Sequence, residues 1–350
     1  MIKKKMKFAV SLVALCALTA CGGGGGGTTT ASGGTAVNAA IPVIQPAPEV
    51  STIVTAAKAA KYAAGSEELI AFNRLNAERN ACGFGYVAQN AALDQAALAH
   101  ANWQVANNTQ THREVAGTPY YTGVKSIDRV VAAGYVTYGN AVAEEITGYP
   151  TNAKAGFGEA GIRVLLNAPY HMVGLIGGFR DIGVSIRAAD DLALAFNHKE
   201  LQINLGFKPA DGFQLLAPLE VATYPCDGTV GVVPNLAGET PNPVPGRDLF
   251  ANPLGSSVAV ILREGRDLNI TSASMTNLAN GQPITLRATL SAKNDPNAIN
   301  GTSYFRSNQA VITPDAALPP MTRFQVMIGG TNNGVTFSRT FIFTTGATYL

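Results

Sequence analysis

"AGIRVLLNAPYHMVGL", Ala160 to Leu175, is where the chain changes character. Its first seven residues read as a buried helix, and Pro169 breaks that run two residues before His171, one of four histidines in 350 residues. Upstream the apolar pattern is helical. Downstream it turns to period two in "DIGVSIRA" (181–188), "LALAFN" (192–197) and "LQINLGF" (201–207), each bounded by turn residues. The turn "NHKE", Asn197 to Glu200, predicts a hairpin between the last two. Helices first and an antiparallel sheet after them make an α+β region, with Pro169 ending the last helix.

Three helices precede that stretch. "SEELIAFNRLNAERNACG" (66–83) opens with an N-cap serine and two first-turn glutamates, where the helix dipole favours them, and stops at Gly83. "NAALDQAALAHANWQVANN" (90–108) places Leu93, Ala97, His100 and Gln104 on one face, and "SIDRVVAAGY" (126–135) has a serine start and a glycine stop. Beyond them, "VVPNLAGETPNPVPGRD" (232–248) is rich in Pro, Gly and Asn and reads as an exposed linker. The rest carries strands only, among them "SSVAVILRE", "PITLRATL", "RFQVMIGG" and "VTFSRTFIFTT", at the spacing of a small β-sandwich.

The amino terminus is an address rather than fold. Lys3, Lys4, Lys5 and Lys7 precede the apolar run "FAVSLVALCAL", which is too short to span a membrane comfortably. "LTAC", Leu18 to Cys21, resembles the bacterial lipobox, which implies cleavage before Cys21 and acylation of its thiol. Gly22 in place of aspartate resembles the outer-membrane sorting signal. The following glycines and threonines form a tether. Two cysteines then remain, Cys82 and Cys226, and an even pair in an exported chain most economically forms one disulfide. With 47% hydrophobic and 14% charged residues and a net charge of +2, the composition is globular and argues against a nucleic-acid partner.

Six pieces in order carry a family resemblance: "LNAERN", "LDQAALAHA", "TH", "AAGY", "AEEITG" and "VLLNAPYHMVGLI", followed by "DIGVSI". Together, over roughly residues 66–207, they are similar to the CAP superfamily of cysteine-rich secretory, antigen 5 and pathogenesis-related proteins, in its bacterial form. The resemblance implies an α–β–α sandwich with a cleft where two histidines and one or two glutamates meet, holding a divalent cation in some members. Carried over, the cleft residues are His112, Glu144 and His171, with Glu145 in reserve as a second carboxylate because Ala168 stands about where a second glutamate would fall. Imidazole nitrogens and a carboxylate suit zinc or a related ion. The closing strands resemble bacterial immunoglobulin-like domains.

The organisation read from the sequence is therefore a lipoprotein signal peptide at 1–20, a tether at 21–60, a CAP domain at 61–230, a linker at 231–246 and an immunoglobulin-like sandwich at 247–350. His100 reads as a core histidine and His198 as a solvated turn residue. No G-x-S-x-G, no H-E-x-x-H and no Asp-rich calcium loop is present. The leading expectation is an envelope-anchored protein, held in the membrane by its lipid, that binds an apolar or lipid-like, cell-wall or protein ligand. A metal-assisted hydrolase of peptide or glycan, with Glu144 and His171 as catalytic candidates, and a structural module with a vestigial cleft are the alternatives.

Overall fold

The computed structural model describes residues 49–137 and 141–347. The expected signal peptide, the expected acylation at Cys21 and most of the expected tether lie outside the described residues. No helix among the described residues is long and apolar enough to cross a membrane.

Helix α1 (Glu67–Ala81) starts where the sequence puts it: Ser66 accepts the Leu69 N–H at 3.2 Å. Strand β1 (Ala88–Gln89) leads to α2 (Ala91–Ala106), capped by the Asn90 side chain, and α3 (Ser126–Ala132) follows. Strand β2 (Val142–Tyr149) precedes α4 (Phe157–Leu165), α5 (Pro169–Leu175), β3 (Asp181–Ala188) and β4 (Lys199–Gly206). These strands form one sheet in the order β1-β3-β4-β2, antiparallel except for the short parallel β1–β3 pair. Strand β2 is an edge.

Two local readings are corrected. Pro169 opens α5 instead of closing α4, which already ends at Leu165; a proline at the first helical position loses no bond it would have made. "LALAFN" leaves the 3₁₀ turn at Ala189–Leu192 as a turn and bends instead of a strand, because its alternation covers too few residues to hold a register.

The sheet has two unlike faces. Leu201, Ile203 and Leu205 of β4 join Ile182, Val184 and Ile186 of β3 in the main core, beneath Ala71, Phe72 and Leu75 of α1 and Ile162 and Leu165 of α4. The intervening Glu200, Gln202 and Asn204 are buried on the other face. There α2 comes so close that a Cβ on Gly183 would sit 2.1 Å from the Leu93 carbonyl carbon.

The C-terminal strands form two four-stranded sheets. One has the order β10 (Leu268–Asn277), β13 (Arg323–Asn332), β14 (Val335–Thr345), β6 (Val230–Val232). The other has the order β11 (Leu290–Ser291), β12 (Gln309–Ile312), β9 (Val258–Leu262), β5 (Val221–Tyr224). A small hairpin pairs β7 (Asn235–Leu236) with β8 (Leu254–Gly255). The second sheet is buried on both faces. Val258, Val260 and Leu262 meet Phe324, Val326, Phe341 and Phe343 of the first sheet, while Ala259 and Ile261 pack into the core shared with α1, α4 and α5.

This overturns the expected linker at 231–246. Strand β5, assigned above to the CAP domain, and β6, which straddles the expected boundary at 230/231, belong to the C-terminal sheets, and Val232, Val233 and Leu236 are buried. Pro48–Leu350 is one compact unit. The proline- and glycine-rich composition is satisfied here by short extended pieces wedged between cores, which need no helix and little ladder pairing. The Cys82–Cys226 disulfide forms as expected, with Cα atoms 5.4 Å apart, but it ties the end of α1 to the end of a sandwich strand.

Candidate functional site

The cleft residues predicted from sequence do come together. His112 lies on the loop between α2 and α3, Glu144 near the start of β2, and His171 in the first turn of α5. The rings of His112 and His171 are 6.2 Å apart between centroids. Each imidazole is backed by a carboxylate through Nδ1: His112 with Glu144 Oε1 at 3.1 Å, and His171 with Glu239 Oε1 at 3.2 Å. The second glutamate is therefore Glu239, from the stretch read as a linker, and not Glu145. No local pattern marks Glu239; the only signal is a lone carboxylate in an otherwise uncharged run.

Glu239 also explains how α5 begins. Ala168 at the N-cap has no side chain to offer, so Glu239 Oε1 accepts the N–H groups of Tyr170 at 2.7 Å and His171 at 3.3 Å. One carboxylate thus fixes both the helix start and the ring it carries.

Behind His112 lies a buried charged network that the sequence reading missed. Glu144 Oε2 accepts from Arg129 Nη2 at 2.5 Å, and its Oε1 lies 3.7 Å from His100 Nε2. His100, expected among apolar side chains, instead presents Nδ1 to Glu114 Oε1 at 3.0 Å and Nε2 to the Thr111 carbonyl at 2.9 Å. Both partners are acceptors, so the ring is anchored from either side by a carboxylate and a backbone carbonyl. Glu114 further accepts the N–H groups of Thr122 and Gly123. Arg129 donates to the Gly123 and His112 carbonyls. Arg129 and His100 thus meet Glu114 and Glu144 in the interior and pin the loop that carries His112. Glu114 follows His112 by two residues and Arg129 sits in "SIDRVV", but neither spacing is a motif. His198 is corrected too: it is held between Asn108 Oδ1 at 2.9 Å and the buried Glu200 Oε1 at 2.7 Å.

The neighbouring glutamates of β2 have opposite electrostatics because they face opposite sides of the strand. Burial pushes the Glu144 carboxyl up, but the His112 hydrogen bond and the basic His100 and Arg129 outweigh it and bring it down to about 2. Glu145 is raised well above the ordinary value of 4.5, by burial first and then by Glu144 and Glu239. Burial also raises Glu239, against the opposing pull of His171.

What faces the cleft is imidazole. The His112 and His171 side chains are 45% and 10% exposed, against 3% for Glu144 and 0% for Glu239. With both Nδ1 atoms turned to carboxylates, the two Nε2 atoms are the free donors or acceptors. Carboxylates behind imidazoles are the usual outer partners of metal-bound histidines. Here, however, Glu144 is turned to Arg129, and among the described residues no group of three or more His, Cys, Asp or Glu is placed to hold a metal. The expected trio of His112, Glu144 and His171 converges without forming a three-ligand site.

The cleft itself has a volume of about 1090 Å³ and runs along all eight residues of β2. Val173, Ile176, Phe179, Phe213 and Ile261 line its apolar reach, and no serine or cysteine lines it.

The family model described as CAP, cysteine-rich secretory protein family, matches residues 72–183. Those residues form a CAP domain. Glu239 lies outside the match. No curated protein sequence matches the chain. Among solved structures, it is similar to an outer surface protein from Borrelia burgdorferi, at 16% identity and a TM-score of 0.31, covering 43% of this chain and 99% of that one. It is also similar to an extracellular protein containing a SCP domain from Bacillus anthracis str. Ames, at 18% identity and a TM-score of 0.31, covering 41% of this chain and 40% of that one.

Proposed function

We propose that this chain is an exported, lipid-anchored CAP-domain protein that binds a ligand in the cleft and does not turn it over. Export rests on the leader and on a disulfide that suits an oxidising compartment; anchoring to the outer membrane rests on the lipobox-like "LTAC" and Gly22. In this reading the C-terminal sheets are an immunoglobulin-like module that builds one wall of the cleft.

The observation that carries binding over catalysis is the state of Glu144. A general base works best with a pKa near the working pH, and a carboxylate held at about 2 by Arg129 and two imidazoles is a poor proton acceptor. With no serine or cysteine on the cleft wall, the hydrolase reading also lacks the commonest nucleophiles. The two Nε2 atoms and the long apolar wall suit a ligand of mixed polarity.

The test is thermal stabilisation of the mature, disulfide-bonded protein by four probes: a fluorescent fatty acid, phosphatidylglycerol vesicles, soluble peptidoglycan fragments and a pool of random ten-residue peptides. Gly238 lines the cleft, and a Cβ there meets nothing within 4 Å, so Gly238→Trp partly fills the cleft without backbone strain. At least one probe should raise Tm in the wild type and fail to do so in the filled variant; a ligand at a hundredfold excess over its Kd stabilises by about 2.7 kcal/mol. No shift with any probe, or equal shifts in both proteins, would overturn the binding role.

A further inference from the structure

We propose that the cleft takes an extended polypeptide segment, which adds to the CAP sheet as a fifth strand along the free edge of β2. The inference rests on the cleft being a binding site and names the class of ligand it takes.

The argument starts from the backbone. Strand β2 pairs with β4 on one side only, through eight consecutive residue pairs from Val142↔Gly206 to Tyr149↔Lys199. In such a ladder every second residue aims its N–H and C=O away from the neighbour, here towards the free edge. From Val142 to Gly148, none of those outward groups hydrogen bonds to another of the described residues. Exposed edges are normally covered or blocked, since they template pairing with any other strand. Among the described residues no strand pairs with this edge, and all eight of its residues line the cleft, over about 26 Å at the usual rise per residue; Glu145, Ile146 and Thr147 at its centre are buried and its two ends are more open.

The same groups decide between ligand classes. An acyl chain or sterol-like body lying along β2 would strip water from a row of backbone donors and acceptors and give nothing back. A polypeptide backbone offers complementary groups at the repeat of the strand, and its alternate side chains would point to the two sides of the edge. Those sides differ here. One carries His112 backed by Glu144, and the other carries His171 backed by Glu239 on a segment where Ala237, Gly238 and Thr240 also line the cleft. The two rings stand 6.2 Å apart, too close for a strand to pass between them, so the segment lies alongside the pair, with both Nε2 atoms free to hydrogen bond to one of its polar side chains or carbonyls. The rim adds Phe250, 88% exposed, and Tyr149, a pair of aromatic surfaces suited to apolar side chains of the segment.

The test uses an array of random ten-residue peptides on the mature protein. The tightest binders are then resynthesised with a single N-methyl group at each position in turn. N-methylation removes one N–H donor and leaves the side chain in place. Strand addition predicts a period of two: methylation at alternate residues should weaken binding about tenfold or more, and at intervening residues hardly at all. Backbone amides within Val142–Gly148 should gain protection from hydrogen exchange in the complex. A flat N-methyl profile, or unchanged exchange along β2, overturns the inference. If no peptide binds while the fatty acid stabilises the wild type and not Gly238→Trp, the cleft remains a binding site and the polypeptide reading alone is lost.

Discussion

Arg129 contributes three donors to the site without touching the cleft: one to Glu144, one to the Gly123 carbonyl and one to that of His112. Replacing it with methionine keeps much of the volume and leaves Glu114 and Glu144 buried with one cation fewer. Urea unfolding of Arg129→Met should show a loss of about 3–5 kcal/mol, the usual result of removing one partner from a buried ionic group. Glu145 works in the opposite direction. Its folded-state carboxyl titrates above 4.5, so its favourable contribution is complete below pH 4.5 and is lost as pH rises through the folded value. Glu144, held at about 2, stabilises fully above pH 4.5 and loses its contribution as pH falls towards 2. Glu145→Gln removes only the first effect. Thermal unfolding should therefore show the variant more stable than the wild type at pH 8, with the gap closing as pH falls to 4.5; a constant gap would show that Glu145 is ionised in the folded protein.

Elements are held together here by close approach as much as by side-chain burial. Gly183 lets α2 lie against β3, and Gly158 lets α4 cross α1 with room for no Cβ, which would sit 2.1 Å from the Glu67 carbonyl oxygen. Gly183→Ala sets a methyl against backbone that cannot rotate away, so the helix has to shift. Denaturant titration should show a loss of about 1–3 kcal/mol, as for other overpacked interiors. The disulfide acts at the same scale from the other side of the equilibrium. Its 144-residue separation constrains the unfolded chain, so replacing Cys82 and Cys226 with serine should cost about 4–5 kcal/mol in the chain-entropy model. Equal stability of the oxidised protein and the double variant would place the effect of the bridge elsewhere.

At the scale of the whole molecule, the C-terminal sheets and the CAP region share one core, through Ala222, Tyr224, Ala259, Ile261 and Val311. A nick in the 231–246 segment should therefore not release two folded halves. Limited proteolysis of the native protein is expected to leave that segment intact, with a single cooperative unfolding transition by heat. Two resistant fragments with separate transitions would restore independent domains. A chain ending at Cys226 would also lack Glu239, leaving the first turn of α5 uncapped and His171 without the partner that orients it.

The boundaries of α1 and β3, the place of the disulfide, and the convergence of His112, Glu144 and His171 were legible in the sequence. Ser66, the alternation of "DIGVSIRA" and the even cysteine pair act locally or by simple pairing, and the three cleft residues came through the family pattern. The partners of those residues were not legible. Glu239 reaches His171 across 68 positions and Arg129 reaches Glu144 across 15, with no periodicity linking either pair. Their pairing follows from where two cores press the chain together. The same is true of the shared core: "VAVIL" reads as a strand from its residues, but that both of its faces are covered depends on two other layers arriving from distant parts of the chain. Local backbone preference and hydrophobic period fixed which elements form. Long-range burial, which has no signature in a short window, decided what each buried carboxylate and each free strand edge would face.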